Sequence, residues 1–219
     1  MTSYHESKLV KQTYKSETMK NKTILSWLVN PFTHIAGGKA VLIGLGIQLL
    51  TVFIGNLLNI HFDGALDIHG DSELTLIQDF YLWGLGVASI IILMYISGLI
   101  LAKGFRFIDL LGTVLIARTP YIINVIAISL IEMPSTETIM ADPMSIFTST
   151  SMIALMSLSI IMILVLIWHF TLLYNAYKVS TGLSGNKVVA SFIVVIILAE
   201  ILSKVLIFYL MSPILKPIS

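Results

Sequence analysis

The residues best placed to do chemistry in this chain are charges set inside apolar sequence. Arg118 stands within Leu110–Ile131, and Glu200 and Lys204 stand within Val188–Met211, runs that hold no other Asp, Glu, Lys or Arg. A charge near the centre of a bilayer costs at least about 2.5–3.5 kcal/mol on insertion scales, so such a residue faces the protein interior and finds partners there. Glu200 precedes Lys204 by four residues, the favourable order for a pair on one helix. At 1.5 Å per residue, Arg118 starts about 12 Å and Glu200 about 18 Å from the same end of their runs, and His169 about 10 Å from it. The length of an arginine covers that difference. The spacing therefore predicts a polar cluster of Arg118, Glu200 and Lys204, joined by His169 and Asn124, between the last three apolar runs. Three chemistries fit it: an ion pair that fixes helix register, a path for protons or substrate, or side chains that snorkel to the interface.

A second group is Asp67-Ile68-His69-Gly70-Asp71, with His61 and Asp63 nearby. In an extended strand Asp67, His69 and Asp71 would share one side, because side chains repeat every second residue. Such a set could hold a divalent cation; the alternative is an acidic, solvated loop. No His-Glu-x-x-His, Gly-x-Ser-x-Gly or Gly-x-x-x-x-Gly-Lys motif occurs, and no nucleophile and base stand at matched depth. Gly44-Leu45-Gly46 and Gly84-Leu85-Gly86 lie within apolar runs, where glycine serves packing rather than a dinucleotide. Cysteine is absent, which removes thiolate metal sites and a cysteine nucleophile. No enzyme and no cofactor is indicated.

The elements that must position these residues are membrane spans. Of the 219 residues, 57% are hydrophobic and 11% charged, against about 25% charged in soluble domains. A spanning helix needs about 20 mostly apolar residues. Spans are expected at about 40–60, 80–102, 110–131, 152–176 and 188–211. These runs are too long for strands and lack the alternation of a membrane barrel. The expectation is an all-α, polytopic bundle of five transmembrane helices. It comprises a polar tail at 1–22, a membrane domain at 23–211 and a short tail at 212–219. The lysines of the first tail make no basic domain for nucleic acid.

Loop charge sets the orientation. Lys8, Lys11, Lys15, Lys20, Lys22, Lys39, Lys103, Arg106, Lys178 and Lys187 fall on one side of the membrane, and Lys216 alone on the other. The opposite loops carry Asp63, Asp67, Asp71, Glu73, Asp79, Glu132, Glu137 and Asp142. The positive-inside rule makes this N-in and C-out. Trp27, Phe80, Tyr81, Trp83, Trp168, Tyr174, Tyr177 and Tyr209 fall near span ends, as interfacial rings do. Residues 24–35 are too short to cross and are expected along the surface, broken at Asn30-Pro31. Gly84/Ala88 and Ala199/Ser203 have the small-xxx-small spacing of close helix contact. Pro120 removes a helix hydrogen bond and should kink the third span near Arg118.

The stretch Asp109–Pro120 (DLLGTVLIARTP), together with Trp168–Lys178 (WHFTLLYNAYK), Gly182–Lys187 and Asn30-Pro31-Phe32, resembles the Yip membrane family, the Ypt/Rab GTPase-interacting type. The resemblance runs from Trp27 to Met211 and implies five spans with the N-terminus inside. The short polar tail differs from the eukaryotic branch and points to a prokaryotic member. The family brings no catalytic residues. It implies a non-enzymatic scaffold or partner-binding component of a trafficking or envelope transport system in the cell membrane, in contact with lipids and other membrane proteins. The alternative is a small transporter or channel component that uses Arg118, Glu200 and Lys204.

Overall fold

The structure, a computed structural model, describes residues 24–70, 73–130, 140–142, 144 and 151–215. The expected tail at 1–22, and Asp71, Glu132, Glu137 and Lys216, lie outside the described residues. Among those described, five helical segments are long and apolar enough to cross a membrane: Gly37–Leu57, Leu76–Leu101, Phe107–Ser129, Met152–Thr181 and Asn186–Met211. Each sits within a few residues of its expected span. The elements in chain order are α1 (Gly37–Leu57), the short strands β1 (Ile60–His61) and β2 (His69–Gly70), α2 (Leu76–Leu101), α3 (Phe107–Ala117), α4 (Tyr121–Ser129), α5 (Ser151–Thr181) and α6 (Asn186–Leu215). The fold is all-α, and α3 and α4 together make the third span. The last helix runs on to Leu215, past the 211 boundary that the sequence marks as the start of a tail.

The helices are long because lipid offers the backbone no hydrogen bonds, so each span must satisfy its own. Their ends carry local signals. α2 starts at a capping box in which the Thr75 N–H donates to Gln78 Oε1 (2.8 Å) and the Gln78 N–H to Thr75 Oγ1 (3.4 Å), with the acidic Asp79 in its first turn. Between α5 and α6, Gly182 and Gly185 take φ of 69° and 64°, a conformation that costs glycine little. The chain thereby reverses within a few residues.

Packing pairs α1 most extensively with α3, then α2 with α6 and α3 with α5, while α5 and α6 touch sparingly. The α1–α3 contact is backbone to backbone. A Cβ on Gly44 would lie 2.9 Å from the Ile116 nitrogen, and one on Gly112 would lie 2.8 Å from the Val41 nitrogen. Small residues give such contact in a membrane, where apolar side chains gain nothing by leaving lipid. Ile90, Met94, Leu110, Val114, Leu173 and Ala176 fill the interior. Tyr177, expected at the interface, is buried in this core, where its hydroxyl meets Ser97 Oγ (2.8 Å) and Ser191 Oγ (3.2 Å). Leu42, Ile100, Ile153 and Ile193 point outward and make the apolar surface that lipid covers.

Of the expected glycine contacts, Gly46 and Gly84 meet open space, whereas Gly86 packs against the backbone of Gly64. Ala199 and Ser203 are buried as that spacing requires. Residues 24–29 form a short helix that ends at Asn30, followed by a 3-10 turn at Pro31–Thr33. This segment docks on α5: Trp168 Nε1 donates to the Leu28 carbonyl (2.8 Å) and Asn175 Nδ2 to that of Val29 (2.9 Å).

Gly86→Ala should therefore lower stability by about 1–3 kcal/mol, the usual cost of overpacking. Gly84→Ala, on the same helix but facing open space, should stay within about 0.5 kcal/mol of the parent. Thermal unfolding in detergent micelles compares the two.

Candidate functional site

The third span breaks where the sequence places Arg118-Thr119-Pro120. Pro120 has no N–H to give the Ile116 carbonyl, and that carbonyl instead accepts from the Thr119 N–H (3.0 Å). The Tyr121 N–H turns to the Arg118 carbonyl (3.1 Å) rather than to Ala117. The Ala117 carbonyl is thus left without its helical donor, and His169 Nδ1 on α5 lies 2.9 Å from it. That contact requires the tautomer with hydrogen on Nδ1. His169 and Arg118 are both fully buried, so a side chain from the neighbouring span repairs the helix that proline interrupts.

The break faces a segment that the sequence places outside the membrane. From the β1–β2 neck, residues 62–68 fold back into the bundle, with Phe62 and Ala65 buried and Gly64 against Gly86. Gly86 stands ten residues past Leu76, or about 15 Å along α2. Irregular backbone at that depth persists only where protein satisfies its polar groups. Here five of them, on Asp63, Ala65 and Leu66, are met by side chains. The Asp63 carbonyl accepts from Lys204 Nζ (3.1 Å), the Ala65 N–H donates to Ser203 Oγ (2.9 Å), and the Leu66 carbonyl accepts from the Tyr121 hydroxyl (2.7 Å).

One peptide group lies at the centre. The Ala65 carbonyl accepts from Arg118 Nη1, and the N–H at the other end of that peptide, on Leu66, donates to Glu200 Oε2 (2.9 Å). A trans peptide points its two polar groups in opposite directions. Arg118 and Glu200 therefore flank the loop instead of touching. The guanidinium sits at the negative end of the peptide dipole and the carboxylate at the positive end, so both hydrogen bonds are charge-assisted. Phe62 and Tyr121 complete the guanidinium's surroundings, with ring centroids 6.0 Å and 5.0 Å from its Cζ.

The expected direct pairings are corrected accordingly. Arg118 and Glu200 join through a loop peptide, because the loop occupies the space between their helices. The expected Glu200–Lys204 pair forms at a long 4.0 Å, and Lys204 lies closer to Asp67 (2.6 Å) and Asp63 (3.2 Å), stapling the two limbs of the loop. Of the three expected buried charges only Arg118 is buried, the side chains of Glu200 and Lys204 being 26% and 40% exposed. Of the expected cation set Asp67, His69 and Asp71, the two described members go to separate partners. Asp67 goes to Lys204, His69 goes to Asp63 (2.8 Å), and Asp71 lies outside the described residues. Asn124 joins the cluster as a wall. It is buried, its Oδ1 has no partner among the described residues, and with Tyr121 and Asp67 it lines a partly open cavity of about 200 Å³ bordered on the other side by Met162, Ile163 and Leu166 of α5.

Sequence reasoning missed the loop itself, along with Tyr121 and Ser203. It missed a second buried set at the neck, where Asp79 holds His61 Nδ1 (2.6 Å) and Asn56 Nδ2 (2.7 Å). A signal was available in Phe62, Ala65, Leu66 and Ile68, apolar residues spaced among the aspartates.

Removing Arg118 leaves the Ala65 carbonyl buried without a donor. Arg118→Ala should cost about 3–5 kcal/mol, and His169→Ala, which uncaps Ala117, about 1–3 kcal/mol. The Arg118→Ala/Glu200→Ala double variant should lose less than the sum of the singles, by about 0.5–3 kcal/mol, if one peptide couples them. A double-mutant cycle of unfolding free energies measures that coupling. No family model, curated protein or solved structure matches the chain, so its own geometry defines it as a multi-pass membrane protein of five spans.

Proposed function

We propose that this chain is a non-enzymatic scaffold or partner-binding protein of the cell membrane, and that the charges within its spans serve the fold rather than a transport path. One observation carries the reading: Arg118, Glu200, Lys204, Ser203 and Tyr121 all direct hydrogen bonds at the backbone of residues 63–66. Between that cluster and the membrane face that carries Lys103, the bundle is filled by buried apolar side chains such as Met94, Leu110, Val114 and Leu173. Each of these groups makes at least one hydrogen bond to the loop backbone, while Arg118 Nε and Nη2 have no hydrogen-bond partner among the described residues. The resemblance to the Yip family supports the same reading and suggests a trafficking or envelope transport setting. By the positive-inside rule, the face with Lys103, Arg106, Lys178 and Lys187 is cytoplasmic. His69 and Gly70, the exposed residues at the mouth of the clamped segment, would then face the opposite side.

A second reading, a small transporter or channel component, is favoured by the interrupted third span and the re-entrant segment. Broken helices recur at transporter sites near the bilayer midplane.

The two separate in proteoliposomes under a proton gradient. The scaffold reading expects no flux above empty vesicles for protons or a panel of ions, with Arg118→Ala and Glu200→Ala lowering thermal stability. Flux that both substitutions abolish in folded protein would put the transporter reading first. The scaffold reading also expects a photo-crosslinking residue at His69 to trap a discrete partner in native membranes. Arg118→Ala, by releasing the loop, should remove that product.

A further inference from the structure

On the bundle surface away from the loop, α2 and α6 border a lateral groove of about 550 Å³. Its walls are apolar, formed by residues such as Leu93, Ile96, Ile100, Val194 and Leu198. Two serines in the wall, Ser97 and Ser191, are bridged through the Tyr177 hydroxyl, at 2.8 Å and 3.2 Å. The groove therefore asks no polar partner of an occupant along most of its length.

Its one charged lining residue stands at one end. Lys187 is the second residue of α6 and is exposed, and among the described residues its ammonium forms no ion pair. The two helices run antiparallel, so Leu101 and Lys187 mark the same end of the groove, and Leu93 and Leu198 mark the other. From Lys187 to Leu198 is eleven residues, about 16 Å, and from Leu101 to Leu93 is eight, about 12 Å. Half of a hydrocarbon core of about 30 Å is about 15 Å. The groove thus has the depth of a single leaflet, with a cation at the level of that leaflet's headgroups. Lys39, Lys103, Arg106 and Lys178 lie at the same end of the bundle, with Asp109 the carboxylate there among the described residues, held by Arg106 at 2.8 Å.

We infer that this groove is a binding site for one anionic phospholipid, its acyl chain lying between α2 and α6 and its phosphate paired with Lys187. The apolar walls exclude a soluble phosphate compound as the natural occupant, and the position of the lysine selects an anionic headgroup over a zwitterionic one. The site is separate from the loop clamp and does not depend on the scaffold reading.

The test uses the full chain in nanodiscs of phosphatidylcholine mixed with phosphatidylglycerol, with the lipids that stay bound after detergent extraction counted by native mass spectrometry. Wild-type protein should retain phosphatidylglycerol over phosphatidylcholine by about fivefold, the ratio expected for one lysine at a membrane surface. Lys187→Ala should bring that ratio close to one, and Lys187→Arg should keep it. Val194→Trp, which fills the groove, should reduce retention of both lipids. Lys103→Ala removes a charge from the same face without touching the groove and should leave the ratio intact. Lys187 and Val194 are exposed, and an unchanged melting temperature verifies that each variant stays folded. Equal retention of the two lipids by wild type, or a Lys187→Ala ratio equal to that of wild type, overturns the proposal. So does displacement of the bound lipid by inorganic phosphate, which would mean that the lysine binds the anion without its chain.

Discussion

The structure depends on a peptide group held between opposite charges. Ala65–Leu66 carries irregular backbone deep into the bundle, and an unsatisfied peptide there costs several kilocalories per mole. Arg118 and Glu200 remove that cost at its two ends. The dependence runs both ways, because the fully buried Arg118 would be expensive to bury without a partner. A direct ion pair needs α3–α4 and α6 close enough for their side chains to meet. Placing a peptide between them lets the helices stand farther apart and fills the gap with chain.

Several other features follow from that insertion. Gly86 has no side chain because Gly64 lies on it, while Gly84, two residues earlier, faces open space. Lys204 reaches to Asp63 and Asp67 because the loop brings both aspartates to α6. The break at Arg118-Thr119-Pro120 aims Arg118 at the loop instead of leaving it on a regular helical face, and His169 closes the carbonyl that the break exposes. The neck at His61, Asn56 and Asp79 fixes where the segment leaves α1 and returns to α2.

The spans were legible in the sequence because length and apolarity are local properties, and the bilayer imposes them on each helix alone. Pro120 was legible for the same reason, since its missing N–H acts within one turn. The burial of Arg118 could be inferred from cost, but its connection to the partly exposed Glu200 could not. It runs through residues 134 positions from Glu200 that read as a charged external loop, and Asp63 and Asp67 outweighed the apolar character of Phe62, Ala65 and Leu66. The choice between Gly84 and Gly86 was also beyond reach, since the two share one motif and differ only in what another segment does opposite them. Tyr177 shows the same limit: an aromatic near a span end fits an interface, and only the positions of Ser97 and Ser191 draw it inside.

The sequence distances spanned by the clamp have a consequence for biogenesis. The loop follows the first span, but Glu200, Ser203 and Lys204 belong to the last, with separations of 134, 138 and 141 residues. As the chain emerges from the ribosome, residues 62–68 have only part of their hydrogen-bonding shell until the fifth helix is made. The clamp can therefore close only after three further spans and the fifth helix have been made, and a chain truncated before that helix would leave Asp63, Ala65 and Leu66 without three of their side-chain partners.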